Sequence, residues 1–383
     1  MKRGFAWLGT LSRVLLLAAT SSHAFEAPLS AEDASGRVER WYFSEANRHF
    51  KNAQVWQEIQ HIANEHQITL VSLGSVYEWV QDAALFDERG RFLKPAAYQG
   101  EDELFGLTLG ISRAWDESPD QVPYFLESEA IAESSSLSVS FPEGGALISG
   151  RLQSGEAYVL AGGHLVLRAQ RHLTRLEGRP YSFQEAHERV ARDLRVSPEL
   201  LIELPSRGHL DLQVLALPGG VVLIHDPSLV APRLKTLLHE ASDSERQRLQ
   251  RMISLYEGTL MGASKPYDDE TLLYVERLER ILSKHLRVIR VAGVFLESQE
   301  ERPRGLVDRI NFFNGFQGRD ASGRFWQLTN RAEGLGVIER WWKRLMQELL
   351  QEDAHVYFPG IYSLGAGIDC SGALSAGSGA KGP

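Results

Sequence analysis

A single cysteine, Cys370, stands near the end of a chain of 383 residues. With one cysteine no intrachain disulfide can form, so the thiol is either a small buried hydrophobe or a reactive group. Three further segments carry residue types that can do chemistry: Trp79-Val80-Gln81-Asp82, Glu143-Gly144-Gly145 and Gly208-His209-Leu210-Asp211. On an extended backbone, residues two apart point to one face, so His209 and Asp211 would project together. Gly208 beside them lets a ligand approach the chain. Each segment also has a plain structural reading. An Asp after a Trp serves in turns, Glu-Gly-Gly is a common turn, and His-x-Asp can be a solvated polar face. The glycine-rich approach Leu364-Gly365-Ala366-Gly367-Ile368-Asp369 to Cys370 can be an ordinary loop.

Together the segments say more. A thiol attacks at neutral pH only when a neighbouring cation lowers its pKa. A thiol surrounded by two or three carboxylates therefore needs a cationic substrate. A guanidinium fits, because its planar fork of donors matches carboxylates bidentately. A peptidase site instead favours one orienting acid and an oxyanion hole. No His-x-x-x-His and no paired cysteine spacing occurs, so neither a metal nor another cofactor is expected.

The elements that must position these residues alternate between strand and helix. Helical spacing covers Val55 to His66, and an apolar strand follows at Ile68 to Leu73. Hairpins are expected at 146–148 with 157–160, around Ser154-Gly155, and at 212–217 with 221–224, around Pro218-Gly219-Gly220. Ser182 and Glu185 form a capping box ahead of a helix to Leu194. Helices at 268–286 and 337–351 flank a strand at 288–295. The class is mixed α/β, and hairpins argue against a simple doubly wound parallel sheet.

Lys2, Arg3 and Arg13 around an apolar run that ends in Ser22-His23-Ala24 suggest a secretory signal peptide over 1–24. Residues 25–372 then form one domain, soluble and secreted or periplasmic, with no membrane partner once the signal is removed. The Gly/Ser/Ala-rich residues 373–383 read as a disordered tail. The formal net charge of −9 argues against a nucleic-acid partner, whose phosphates need a basic footprint.

In this order the segments resemble the guanidine-modifying superfamily known as penteins. Trp79-Val80-Gln81-Asp82 is similar to the Trp-x-Gln-Asp of peptidylarginine deiminases and the Trp-x-Arg-Asp of agmatine deiminases. Glu143-Gly144-Gly145 is similar to the Glu-Gly-Gly of arginine and agmatine deiminases, and His209-Leu210-Asp211 to the family's His-x-Asp. Ile310-Asn311-Phe312-Phe313-Asn314-Gly315 resembles the stretch before the last module, and Gly365 to Cys370 the approach to the catalytic cysteine. The family usually has His immediately before that cysteine; this chain has Asp369. An added carboxylate there raises a thiol pKa.

The resemblance implies a pentein α/β propeller, about five pseudo-symmetric modules around a central active site. It implies hydrolysis of a guanidinium through a covalent thiouronium on Cys370, with His209 as acid/base. Asp82 and Asp211 would clamp the guanidinium, and Glu143 would support His209 or the substrate. Trp79, Gly208 and Asn314 would line the substrate site. Gln81 and the signal-like segment favour an arginine-containing peptide or protein, giving peptidyl-citrulline and ammonia. Glu-Gly-Gly favours a small guanidine such as agmatine or free arginine, whose carboxylate Arg151, Arg207 or Arg319 could bind. An amidinotransferase and a catalytically inactive binding protein are the alternatives from other classes.

Overall fold

A computed structural model describes residues 28–29, 36–43, 45, 51–72, 85–87, 92–94, 134–136, 138–140, 145–162, 164–205, 209–261, 263–297, 309–360 and 372–375. Its strands are β1 (Pro28–Leu29), β2 (Arg40–Phe43), β3 (Thr69–Ser72), β4 (Leu85–Asp87), β5 (Phe92–Lys94), β6 (Ser134–Ser136), β7 (Leu147–Arg151), β8 (Ala157–Ala161) and β9 (Leu201–Glu203). They continue with β10 (Val214–Leu217), β11 (Val221–His225), β12 (Arg287–Val291), β13 (Val294–Leu296), β14 (Arg309–Asn311), β15 (Gly315–Arg319), β16 (Phe325–Thr329), β17 (His355–Tyr357) and β18 (Gly372–Ser375). The helices are α1 (Ala53–Glu65), α2 (Leu165–Glu177), α3 (Phe183–Asp193), α4 (Val230–Leu237), α5 (Asp243–Glu257), α6 (Asp269–Leu282) and α7 (Gly336–Leu350). Among the described residues no helix is long and apolar enough to cross a membrane.

One pairing pattern recurs in five sheets. β7 pairs antiparallel with β8, which pairs parallel with β9. The same antiparallel-then-parallel order holds for β10-β11-β12, β15-β16-β17, β4-β5-β6 and β18-β2-β3. A parallel return needs a long crossover. Helices supply it: α1 between β2 and β3, α2 and α3 between β8 and β9, α4 to α6 between β11 and β12, and α7 between β16 and β17. The first sheet is completed from the other end of the chain, since β18 is the strand that pairs antiparallel with β2.

Alternation along the strands sorts each sheet between two cores. In β8, Ala157, Val159 and Ala161 pack with α2 and α3, while Tyr158 and Leu160 turn toward β10, β11 and α6. Residues of α4, α5 and α7 share a third cluster with Leu215, Leu223, Phe325 and Val356. A fourth joins Trp41 and Ile59 to Phe316 and Trp326, with the Trp41 and Phe316 rings 4.5 Å apart. Sheets neighbouring in sequence are thus neighbours in space, and β18 also lies against β4, and β1 against β7.

Two boundaries depart from the sequence expectations. The strand expected at 288–295 is two strands in two sheets, β12 and β13, separated by Ala292-Gly293. A Cβ on Gly293 would stand 1.7 Å from the Phe313 ring, so only glycine lets the chain pass there. Ala373, Leu374 and Ser375, assigned by composition to the tail, are strand residues of β18, because β2 offers them a partner.

Candidate functional site

Leu210 is the anchor of the His-x-Asp segment. Its side chain is sealed in the core that β7, β8, β10 and β11 share. The backbone here is a turn and not an extended strand: the amides of Gln213 and Val214 both donate to the Leu210 carbonyl, at 2.9 and 2.8 Å. The expectation of an extended His209-x-Asp211 is therefore corrected. The two side chains meet through a bend, with His209 Nδ1 3.5 Å from Asp211 Oδ1. That is an ion-pair separation, longer than a well-formed hydrogen bond. His209 keeps 32% of its side chain exposed while Asp211 keeps none, so the imidazole faces outward over a buried carboxylate.

The Glu-Gly-Gly segment ends directly under this turn. The Gly145 carbonyl accepts the amide of Leu210 at 2.5 Å and that of Asp211 at 3.2 Å. Gly145 has φ +68°, and a Cβ there would stand 2.1 Å from His209 Nδ1 and 2.7 Å from Asp211 Oδ1. Both the backbone conformation and the close approach require glycine. The chain entering this segment is held by Asp193 at the end of α3, whose carboxylate accepts the amides of Ser138, Val139 and Ser140 at 2.7, 2.9 and 2.8 Å. The chain leaving it is β7.

Asn314, in the turn between β14 and β15, closes the third side. Its Nδ2 donates to Asp211 Oδ2 at 2.5 Å, and both side chains are fully buried. A buried carboxylate is tolerable only when paired and hydrogen-bonded; Asn314 and His209 supply those partners. The turn itself is tied by polar side chains. Thr329 Oγ1 and Asn330 Nδ2 donate to the Asn314 carbonyl at 3.0 and 3.2 Å. Asn330 also reaches the Asn311 carbonyl at 2.6 Å, and Asn311 Nδ2 donates to the Leu212 carbonyl at 3.3 Å. The sequence reading missed Asn311, Thr329, Asn330 and Asp193 as positioning residues. For β16 a signal existed: Gln327 and Thr329 are polar at alternate positions of an otherwise aromatic and aliphatic run.

Gly145, His209, Asp211 and Asn314 thus come together from three separate sequence segments. Trp79, Gln81, Asp82, Glu143, Gly208 and Cys370 lie outside the described residues. Of the three arginines considered for a carboxylate, Arg319 is engaged by Glu352, with Nη2 to Oε1 at 2.8 Å. Arg151 Nη1 donates to the Gly155 carbonyl at 2.6 Å in its own hairpin, and Arg207 lies outside the described residues. Each described arginine thus has a partner within its own part of the fold.

No protein-family model and no curated protein matches the sequence. Solved structures do match its shape. The agmatine deiminase of C. jejuni aligns with a TM-score of 0.52 at 12% identity, over 90% of this chain and 94% of that one. The fold is that of the penteins. The agmatine deiminase of Enterococcus faecalis, another pentein, aligns with a TM-score of 0.52 at 14% identity, over 91% of this chain and 96% of that one. A substrate-bound form of the C. jejuni enzyme aligns with a TM-score of 0.51 at 12% identity, over 90% and 95%. At these identities the likeness concerns the pentein fold.

Proposed function

We propose that this chain, which has the pentein fold, hydrolyses a guanidinium group to a ureido group and ammonia. The observation that carries the reading is the junction at the Gly145 carbonyl, where the Glu-Gly-Gly and His-x-Asp segments meet, with Asn314 of the Asn-Gly segment bound to the same aspartate. Three segments chosen from sequence for one chemistry are in contact, around an exposed imidazole backed by a buried carboxylate.

In this reading Asp82 and Asp211 hold the guanidinium, and the Cys370 thiolate attacks its carbon. His209 gives a proton to the departing nitrogen, which leaves as ammonia, and an S-alkylthiouronium remains. His209 then takes a proton from water as the water adds to that carbon. The C–S bond breaks, returning the thiolate and releasing the ureido product. General acid/base catalysis of this kind contributes about 10²–10⁴-fold. Asp211 also orients the imidazole, since Oδ1 faces His209 Nδ1 while Oδ2 accepts from Asn314. We place all of residues 25–372 in one domain whose five sheets form a ring. The recurring strand pattern and the contacts between sequence-neighbouring sheets support this.

For the substrate we propose arginine within a peptide or protein, met outside the cytoplasm, on the strength of Gln81 and the signal-like residues 1–24. The second reading is a small guanidine, favoured by the full-length match of the fold to agmatine deiminases. Ammonia and ureido release from a blocked arginyl peptide, free arginine and agmatine tests both. Release from none of them, with the fold intact, would leave an amidinotransferase or a binding protein. Transfer of the amidino group to an added amine would identify an amidinotransferase.

A further inference from the structure

A second cluster of chemistry-bearing side chains lies away from this site, where the end of α1 meets β17. Glu65 is the last residue of α1, His66 caps it, and His355 and Tyr357 are the two ends of β17. His66 Nε2 lies 2.8 Å from the Tyr357 hydroxyl, His355 Nδ1 lies 3.2 Å from the same hydroxyl, and Glu65 Oε1 lies 3.2 Å from His355 Nδ1. We propose that Glu65, His66, His355 and Tyr357 form a binding site for a divalent transition-metal ion of the zinc class.

The spacing suits such an ion. A tetrahedral centre with bonds of roughly 2.0–2.2 Å sets its donor atoms about 3.3 Å apart. The three separations above all lie at or somewhat below that edge. One donor atom each from Glu65, His66 and His355 already lies within 4.8 Å of the others. Glu65 and His355 keep 33% and 21% of their side chains exposed, which opens a path for the ion.

The outer partners make the stronger argument. Metal-ligating histidines characteristically hold a carboxylate on the ring nitrogen that faces away from the metal, fixing the tautomer and the ring plane. His66 does so with a buried carboxylate, and His355 has an exposed one within ion-pair distance. His66 Nδ1 lies 3.0 Å from Asp320 Oδ2, and His355 Nε2 lies 3.4 Å from Asp353 Oδ2. Asp320 is itself fixed by Ser322 and by Arg324 Nε at 3.0 Å. The nitrogens left facing the cluster are His66 Nε2 and His355 Nδ1, a matched pair of imidazole donors beside a carboxylate and a phenol. Without an ion, the protons of the phenol and one imidazole hold these four atoms together. A bound dication replaces them and releases protons to solvent.

The closing experiment uses the full chain after chelator treatment, titrated with Co²⁺ and then with Zn²⁺. One Co²⁺ per chain should bind with the intense visible bands of tetrahedral coordination. Zn²⁺ should displace it, and saturating Zn²⁺ should raise the thermal midpoint. His66 is buried and its removal can unfold the chain, so Glu65→Ala and His355→Ala carry the test. Each should keep the far-UV spectrum and lose affinity about tenfold or more. Absence of stoichiometric binding, or wild-type affinity in both variants, overturns the proposal and leaves a hydrogen-bonded cluster around Tyr357.

Discussion

The Cα of Gly145 and the imidazole of His209 lie so close that a methyl group on the glycine would stand 2.1 Å from Nδ1. Gly145→Ala is therefore expected to be severe. A non-glycine residue at φ +68° costs about 1–3 kcal/mol before any collision is counted. On the proposed mechanism, moving the ring also misplaces the acid/base. Urea unfolding and turnover should both suffer, and wild-type behaviour in both would show that the two residues are not neighbours.

Asn314 is expected to act through Asp211. Asn314→Ala leaves a buried carboxylate oxygen without its amide donor, at a cost of about 1–3 kcal/mol. Asn314→Asp sets two carboxylates against each other, which raises the pKa of one of them. That variant should be least stable at neutral pH and recover toward acid, as a shared proton restores the contact. A Asn314→Asp unfolding curve that is flat in pH would refute the pairing.

The covalent chemistry predicts a graded series. Cys370→Ser should abolish ammonia release with the fold intact, because a hydroxyl lacks a thiolate's low pKa. His209→Ala should cost about 10²–10⁴-fold in kcat. Asp211→Asn keeps the shape but should damage kcat and KM together. Against the peptidyl assignment stands one comparison: a blocked arginyl peptide with kcat/KM a hundredfold below agmatine has lost about 2.7 kcal/mol of transition-state stabilisation. The small guanidine would then be the substrate.

Glu203, at the end of β9, offers a pH test. Burial raises its pKa above the usual carboxylate range, while the Val166 amide at the start of α2, 3.2 Å away, pulls the other way. The folded state then holds its proton to higher pH than the unfolded chain. Its contribution is fully present below the unfolded pKa and is lost as pH rises through the folded one. Glu203→Gln keeps an oxygen for Val166 and removes this loss. The variant should match or exceed wild-type stability at pH 7, and its stability should vary less between the ordinary and the raised carboxylate pKa. A Gln variant clearly weaker at pH 7 would mean that the charged form is the favoured one.

Local signals were readable where the chemistry is local. Ser182 and Glu185 form the capping box their spacing implies, and Ser242 with Glu245 form a second one equally plain in the sequence. Pro218-Gly219-Gly220 turns the hairpin as expected, with both glycines at positive φ. What escaped depended on distant partners. The break at Gly293 is imposed by the Phe313 ring, and the bend at His209 by the Gly145 carbonyl. Glu65 and His355 are 290 positions apart, so no motif spacing could bring them together.

The pairing of β18 with β2 bears on when this protein can work. Gly372 registers with Phe43 and Ser375 with Arg40, so β2 waits for a strand synthesised long after it. Cys370 precedes that strand by two residues. During synthesis His209, Asp211 and Asn314 are made well before Cys370, so on the proposed mechanism a nascent chain holds the acid/base before the nucleophile. Synthesis of Cys370 and completion of the sheet of β18, β2 and β3 then fall close together in chain order.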